Sequence, residues 1–443
     1  MSGGPMRTGA IVLSLILAML AASSVQSRAA RYSAQTASQL TASQTEGALT
    51  VDELIDAAME ANPQIAATRA QWFSAIHSIR QNYAPNDPIF NYFNTDSPTN
   101  GFSQAADHTI NVTDGFQFPG KALLQADNAK RSAQIAKLVY AATRRDVRAQ
   151  VATAFYQAQL DAALSGVAAE MIVSLQQVVR VTQVAYSAGQ VTQTDFITAE
   201  LNLSNEQITR NQLHVSHAND LTTINQLLYR RPDAPLNLDS VLRMPPLNQR
   251  VDNLIDQAIA ERQEILEAAL TDRNSETAQT LAKMEYLPDY SIGYTFDNYL
   301  IPSAGPTTNS LQDHGWNIGF NMPIFFWIKQ REDVTRSGFN REATESDLAS
   351  VRSQTAATVT NLYRSAQLAY QTAQTYNGTL IPLARQNFVV ALTAYTSNKV
   401  DFLTLALALQ QSYNTQINYL QAVNQYLADR VALEQAIGEA LGK

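Results

Sequence analysis

Val51-Asp52-Glu53-Leu54-Ile55-Asp56-Ala57-Ala58 returns 200 positions later as Val251-Asp252-Asn253-Leu254-Ile255-Asp256-Gln257-Ala258. Other landmarks recur in the same order. Tyr83-Ala84-Pro85 matches Tyr286-Leu287-Pro288, Phe116-Gln117-Phe118-Pro119 matches Phe320-Asn321-Met322-Pro323, and Asp195-Phe196-Ile197-Thr198 matches Asp401-Phe402-Leu403-Thr404. The offset creeps from 200 to 206, so small insertions separate two copies of one long unit. Units of roughly two hundred residues are far longer than solenoid repeats. One architecture is built twice in tandem, and its function is expected to use both copies in pseudo-symmetric places.

The 443 residues carry a net charge of −8, which argues against a nucleic-acid surface and mildly favours a lumen or face presented to cations. Cysteine is absent, which removes disulfides, thiolate metal sites, thiol nucleophiles and the lipid-acceptor cysteine of bacterial lipoproteins. Membrane attachment must then come from the fold. Arg7 precedes an apolar run from Ala10 to Ala22 followed by small residues, the shape of a secretory signal over 1–30. No later stretch approaches 18 consecutive apolar residues, so no spanning helix is expected in the mature chain. Residues 31–49 are rich in Ser, Thr, Gln and Ala and predict a flexible lead-in. The first repeat then covers 50–231, a Pro-rich linker 232–249, the second repeat 250–438 and a tail 439–443.

Each half reads helix, two strands, very long helix, tip, helix. In the first, a helix is expected over 51–83 and strands over 88–95 and 108–118, with the loop signal Asp96-Ser97-Pro98-Thr99-Asn100-Gly101 between them. Pro119 and Gly120 stop the second strand, and a proline-free helical pattern runs over 121–186, about 100 Å at the α-helical rise. Along it Val151, Phe155, Ala158, Ala162, Ser165, Ala169 and Ile172 space as a heptad seam of mostly small residues, which lets helices approach closely. A return helix is expected over 192–229. In the second half Tyr290, Ile292, Tyr294 and Phe296 alternate with small or polar residues, as do Trp316, Ile318, Phe320 and Met322. One face is bulky and apolar, the other small and polar. About four strands cannot close a barrel, since membrane barrels begin near eight, so several chains are expected to pool theirs with the apolar face to lipid. A soluble sheet packed on a core remains the alternative.

At this point the sequence resembles the TolC-like outer-membrane factor family, over 50–438. The resemblance rests on Tyr186-Ser187-Ala188-Gly189 with Asp195-Phe196-Ile197, and on Tyr395-Thr396-Ser397-Asn398 with Asp401-Phe402-Leu403. The strand–helix junction Phe118-Pro119-Gly120-Lys121, whose counterpart ends at Pro323, is similar to the heavy-metal cation-efflux branch, as is Pro85-Asn86-Asp87-Pro88. The resemblance implies a mostly α fold with a small membrane β part. Three chains would build an α-barrel tunnel through the periplasm and, with about four strands each, a β-barrel in the outer membrane of a Gram-negative bacterium. It implies a homotrimer in outer-membrane lipid, partnered by a periplasmic membrane-fusion adaptor and an inner-membrane pump, and no cofactor.

It also implies that the tips are the periplasmic gate and the adaptor-docking end. Docking would fall to Tyr186, Gly189, Gln190, Tyr395, Asn398 and Lys399. Asp195 and Asp401 are read either as helix caps or as a lumen-lining acidic ring, roles that can coexist. Two departures from the family stand out. Thr198 and Thr404 occupy positions where it often has another acid, and Asn398 replaces a glycine in a tip about three residues shorter.

Metal and enzyme readings have little to rest on. His214 and His217 sit at i, i+3 on a helix without a third ligand nearby and are read as exposed polar residues. No catalytic triad, phosphate loop or paired-carboxylate motif stands out. The expected function is a passive exit duct for metal cations or small molecules. The rivals are the outer-membrane component of a one-step protein secretion system, and a periplasmic coiled-coil protein without a pore.

Overall fold

The computed structural model describes residues 48–94, 108–301, 309–439 and 441. The signal segment, nearly all of the lead-in, the loop 96–101 and the loop prolines Pro302 and Pro306 lie outside the described residues. In the first repeat the elements are α1 (Val51–Ala61), α2 (Pro63–Tyr83), β1 (Ile89–Asn94), β2 (His108–Phe116), α3 (Lys121–Ser187) and α4 (Gln193–Leu227). In the second they are α5 (Val251–Glu261), α6 (Gln263–Met284), β3 (Asp289–Ile301), β4 (Asn309–Asn321), α7 (Lys329–Thr375), a π-turn (Tyr376–Leu380), α8 (Ile381–Thr396) and α9 (Phe402–Ile437).

The helix expected over 51–83 is therefore two. Thr50 and Glu53 form a reciprocal capping box that starts α1. Asn62 then turns extended (φ −70°, ψ 121°) and Pro63 opens α2, a first-turn position where its missing N–H is no loss. The second repeat breaks at the matching place without a proline: Arg262 takes φ −63°, ψ 126°. A shared tertiary contact explains both breaks. Asn62 Nδ2 donates to the Leu227 carbonyl at the end of α4, and Arg262 donates to the Ala436 carbonyl at the end of α9. Each break satisfies an orphan carbonyl of the returning helix.

The two long helices differ. Val151 matches Val359, 208 residues on, but Leu175 matches Ala384, 209 residues on. The extra residue falls where the π-turn lies, and i→i+5 bonding absorbs it just before Pro382, which cannot donate to the ladder. One 18-residue window of α3 reaches a mean hydropathy of 1.4, so by length and composition this helix could cross a membrane, against the expectation that none would.

The chain divides into two compact units. Of the described residues, one comprises 48–66, 142–262 and 355–441 without 440. Near the tips it is held by Leu175, Val178, Ala199, Ala391, Tyr395, Phe402, Leu405 and Leu409. Farther along, Leu254 and Ala258 of α5 pack with Val359, Leu433 and Ile437. The Pro-rich linker is ordered. Leu49 and Leu238 form a parallel bridge, and the Pro245 carbonyl accepts from the Tyr426 hydroxyl and Arg430. The lead-in thus ends before Leu49, which is buried. The seam of α3 also needs correcting. Val151, Phe155, Ala158 and Ile172 are buried and Ser165 and Ala169 partly so, but Ala162 is exposed and the buried companion row past Phe155 runs through Asp161, Ala168, Leu175 and Thr182. A seven-residue spacing from Asp161 gives the same period as one from Ala162, so periodicity alone does not choose between the adjacent rows.

The other unit comprises 67–141 and 263–354. Its single sheet has the order β1-β2-β3-β4, antiparallel throughout. Among the described residues β1 and β4 each keep one edge without a strand partner.

Candidate functional site

The two tips are built by the same device. At the end of α3 the backbone of Gly189 turns left-handed (φ 71°), and Gln190 N–H donates to the Ala185 carbonyl at 2.9 Å. At the end of α8 Asn398 adopts φ 58° and Lys399 N–H donates to the Ala394 carbonyl at 2.9 Å. Both are Schellman closures, with asparagine filling a place where glycine is favoured. The tyrosine before each turn meets the phenylalanine after it: Tyr186 stacks on Phe196 at 6.2 Å, and Tyr395 meets Phe402 edge-on at 6.5 Å. Gly189, Gln190, Asn398 and Lys399 are exposed, Tyr186 is exposed and Tyr395 is buried.

The acids that match in sequence differ in role. Thr192 caps α4, and Asp195, at the third helical position, closes a reciprocal box by accepting from Thr192 N–H and its hydroxyl. In the second tip the three-residue deletion removes that first turn, and Asp401 itself becomes the N-cap. It accepts from Thr404 N–H at 2.9 Å and from the Thr404 hydroxyl at 2.6 Å. These bonds hold its carboxyl below the usual carboxylate range. A lowered folded pKa stabilises the cap above the ordinary value and loses it as pH falls through the folded one. Asp195 is half-buried and Asp401 exposed; Thr198 instead bonds back to the Thr194 carbonyl. Because a β-branched residue resists the left-handed conformation, Asn398→Val is expected to destabilise the tip by about 2 kcal/mol, whereas Asn398→Gly is neutral or slightly stabilising. Paired melting curves check this; equal melting of all three proteins would count against it.

In the sheet, the register gathers the bulky residues on one face. Phe90 lies opposite Val112, Tyr92 opposite Ile110, and Phe116 opposite Tyr290. Tyr290, Ile292 and Tyr294 lie opposite Phe320, Ile318 and Trp316, with Phe296 in the same row of β3. All seven residues expected to face lipid share this face. Trp316 is 77 % and Ile318 67 % exposed, so within the protomer the face covers no core. The opposite face is polar and internally bonded: Thr109 donates to Asp297, Asn111 to Thr295, and Thr113 to Asn111. Gly293 lets this layer close up, since a Cβ there would stand 2.1 Å from Asn317 Oδ1. Towards the hairpin loops the apolar face itself turns polar at Asn94, His108, Asn298 and Gln312.

The two strand–helix junctions diverge. After Pro119, Gly120 takes φ 100° and α3 begins at once with Lys121. After Pro323 five more residues, Ile324-Phe325-Phe326-Trp327-Ile328, make an exposed apolar turn before α7. Sequence reasoning missed this turn, although the unbroken apolar run from Met322 to Ile328 marks it. His214 is exposed, but His217 is half-buried with Nδ1 3.0 Å from the Ala158 carbonyl, contrary to its reading as a surface residue. Among the described residues no group of three or more His, Cys, Asp or Glu could hold a metal ion.

A duplicated order of helices and two strands, with all four strands in one antiparallel sheet, is the fold that the TolC-like outer-membrane channels share. Residues 254–439 match the family model of the outer membrane efflux protein. Solved structures share the fold. The outer-membrane channel OprN matches at 14 % identity over 88 % of this chain and 90 % of its own, with a TM-score of 0.74. VceC from Vibrio cholerae matches at 15 % identity over 88 % and 96 %, TM-score 0.73. MtrE from Neisseria gonorrhoeae, solved in its open state, matches at 16 % over 88 % and 89 %, TM-score 0.69. No curated protein sequence matches the chain. The family match thus falls on the second repeat, and the chain as a whole has the fold of the TolC-like channels.

Proposed function

We propose that three copies of this chain pool their sheets into a barrel of about twelve strands in the outer membrane and form the passive exit duct of a tripartite efflux system. The supporting observation is the sheet: two unpaired edges and an uncovered apolar face. In lipid no strand edge can stay unpaired, so a four-stranded sheet of this kind must close with its copies. The rival without a pore needs the same face packed in a soluble core, and the exposure of Trp316 and Ile318 supports the duct over it. Tyr290 to Phe296 spans about 20 Å of strand, or about 15 Å of height at a typical barrel tilt, short of a lipid-facing band of about 25 Å. Met322 and the Ile324–Ile328 turn extend the band, and Lys329 and Arg331 follow it where anionic headgroups would lie.

The tips are the gate of this duct. An adaptor would dock on the exposed Tyr186, Gly189, Gln190, Asn398 and Lys399, while Tyr395, expected to share that role, is buried in the tip core instead; an inner-membrane pump would supply the energy. Metal cations or small molecules are the exported class, on the resemblance of the first junction to the cation-efflux branch. Planar-bilayer conductance of the purified protein tests the reading. Wild type is expected to give trimeric, low-conductance, cation-preferring openings, with the preference lost in Asp195→Ala/Asp401→Ala. Unchanged selectivity would leave both aspartates as caps alone, and a protein that never inserts would overturn the duct.

A further inference from the structure

The buried seam of α3 passes through an acid. Asp161 is only 4 % exposed, and its carboxyl lies near enough to Asp220 on α4 to act on it electrostatically. Asp161 Oδ1 accepts from Gln157 at 3.3 Å, but Oδ2 of both aspartates is buried without a partner. His217, one turn before Asp220, holds its Nδ1 3.0 Å from the carbonyl of Ala158, one turn before Asp161. The duplication supplies an internal control. The step that carries Val151 to Val359 carries Asp161 to Ala369, and the step that carries Asp195 to Asp401 carries His217 to Val423 and Asp220 to Tyr426. Ala369, Val423 and Tyr426 belong to one buried apolar cluster with Ala366, Ala373 and Leu427. Where the second repeat has an apolar core, the first has two acids and an imidazole.

Two ionised carboxylates side by side in a seam where one is buried and the other half-buried repel each other, and one shared proton removes the repulsion. We propose that Asp161 and Asp220 form a proton-binding site, a single proton shared between them tying α3 to α4 and its loss driving the two helices apart. Burial first, and then Asp161, push the Asp220 carboxyl up to about 6, with His217 pulling it the other way. The charged and titratable groups acting on Asp220 are thus Asp161 across the seam and His217 on its own helix. Gln157, which bonds Asp161, is in turn bonded by the neutral Asn424 of α9. A folded pKa above the ordinary 3.8 means that the folded chain holds the extra proton between the two values. The stability it confers is full below 3.8 and is lost as pH rises through about 6. This staple stands whether or not the chain forms a duct.

The absence of cysteine makes the test clean. Spin labels on Ala162→Cys and Ala218→Cys, both at exposed positions, report the α3–α4 separation by pulsed electron resonance in detergent. Wild type is expected to widen as pH rises from about 5 to about 8, with a midpoint near 6, and to lose the infrared carbonyl band of a protonated carboxyl over the same range. Asp220→Asn, which keeps a donor at every pH, should hold the distance constant, and Asp161→Asn serves the same purpose if the first variant folds poorly. The second-repeat set, Asp161→Ala with His217→Val and Asp220→Tyr, should also be flat. Identical pH courses for wild type and Asp220→Asn would overturn the proposal. So would closure at about pH 8 by added zinc or calcium that a chelator reverses, because the ligand would then be a metal cation.

Discussion

Arginine in place of Ile318 is expected to abolish insertion into lipid, while arginine at the adjacent Asn317 leaves it intact. The two residues are neighbours on β4 but lie on opposite faces: Ile318 pairs with Ile292 in the apolar layer, and Asn317 pairs with Gly293 in the polar one. An arginine facing hydrocarbon at mid-depth costs about 2–4 kcal/mol per copy, so three copies would cost about 6–12 kcal/mol, comparable with the whole stability of an ordinary domain. Facing the lumen, the same charge stays in water and only changes selectivity. The readout is the fraction of chain retained by lipid vesicles after a urea wash. If both variants insert equally, the apolar face does not contact lipid and the strand assignment above fails. If neither inserts, the sheet tolerates no charge on either side, which is the behaviour of a soluble sandwich.

The features legible in the sequence were those set by local chemistry. Period-two alternation marked β3 and β4 because each residue of a strand faces the side opposite to its neighbours. A glycine, or an asparagine able to imitate it, marked both tips because the Schellman closure needs a left-handed residue. Features set by tertiary contact were not legible. The break at Arg262 has no proline to announce it and depends on a carbonyl of α9 far along the chain. The role of Asp401 depends on a three-residue deletion that moves the start of α9 by one turn, so a residue matched perfectly in sequence changes from the third helical position to the cap. The seam went astray for a different reason. Alanine is buried far more often than aspartate in most proteins, and Asp161 is an exception that the first repeat keeps and the second does not.

Loss of the lysine at the first strand–helix junction is expected to weaken the sheet-bearing unit by about 2 kcal/mol. Lys121 is 2 % exposed, and its ammonium lies 2.9 Å from Asp289 and 3.4 Å from Glu285. Asp289 Oδ1 also accepts the Phe118 backbone N–H at 2.8 Å. One lysine of the first repeat thus ties the end of β2 and the start of α3 to the start of β3 in the second. Lys121→Met keeps the apolar stem in place and removes only the charge, leaving Asp289 with a single donor. Breaking a fully buried pair costs about 3–5 kcal/mol, but Asp289 and Glu285 retain contact with water, which offsets part of the loss. Among the described residues the second junction shows no such ion pair; its apolar turn is exposed instead, so the first must hold the register between β2 and β3. A double-mutant cycle of Lys121→Met with Asp289→Asn, followed by urea unfolding in detergent, isolates the pair. A coupling of about 1–2 kcal/mol is expected. A coupling within error of zero would mean that Lys121 acts by filling space alone, and that the phenylalanine amide suffices to anchor Asp289.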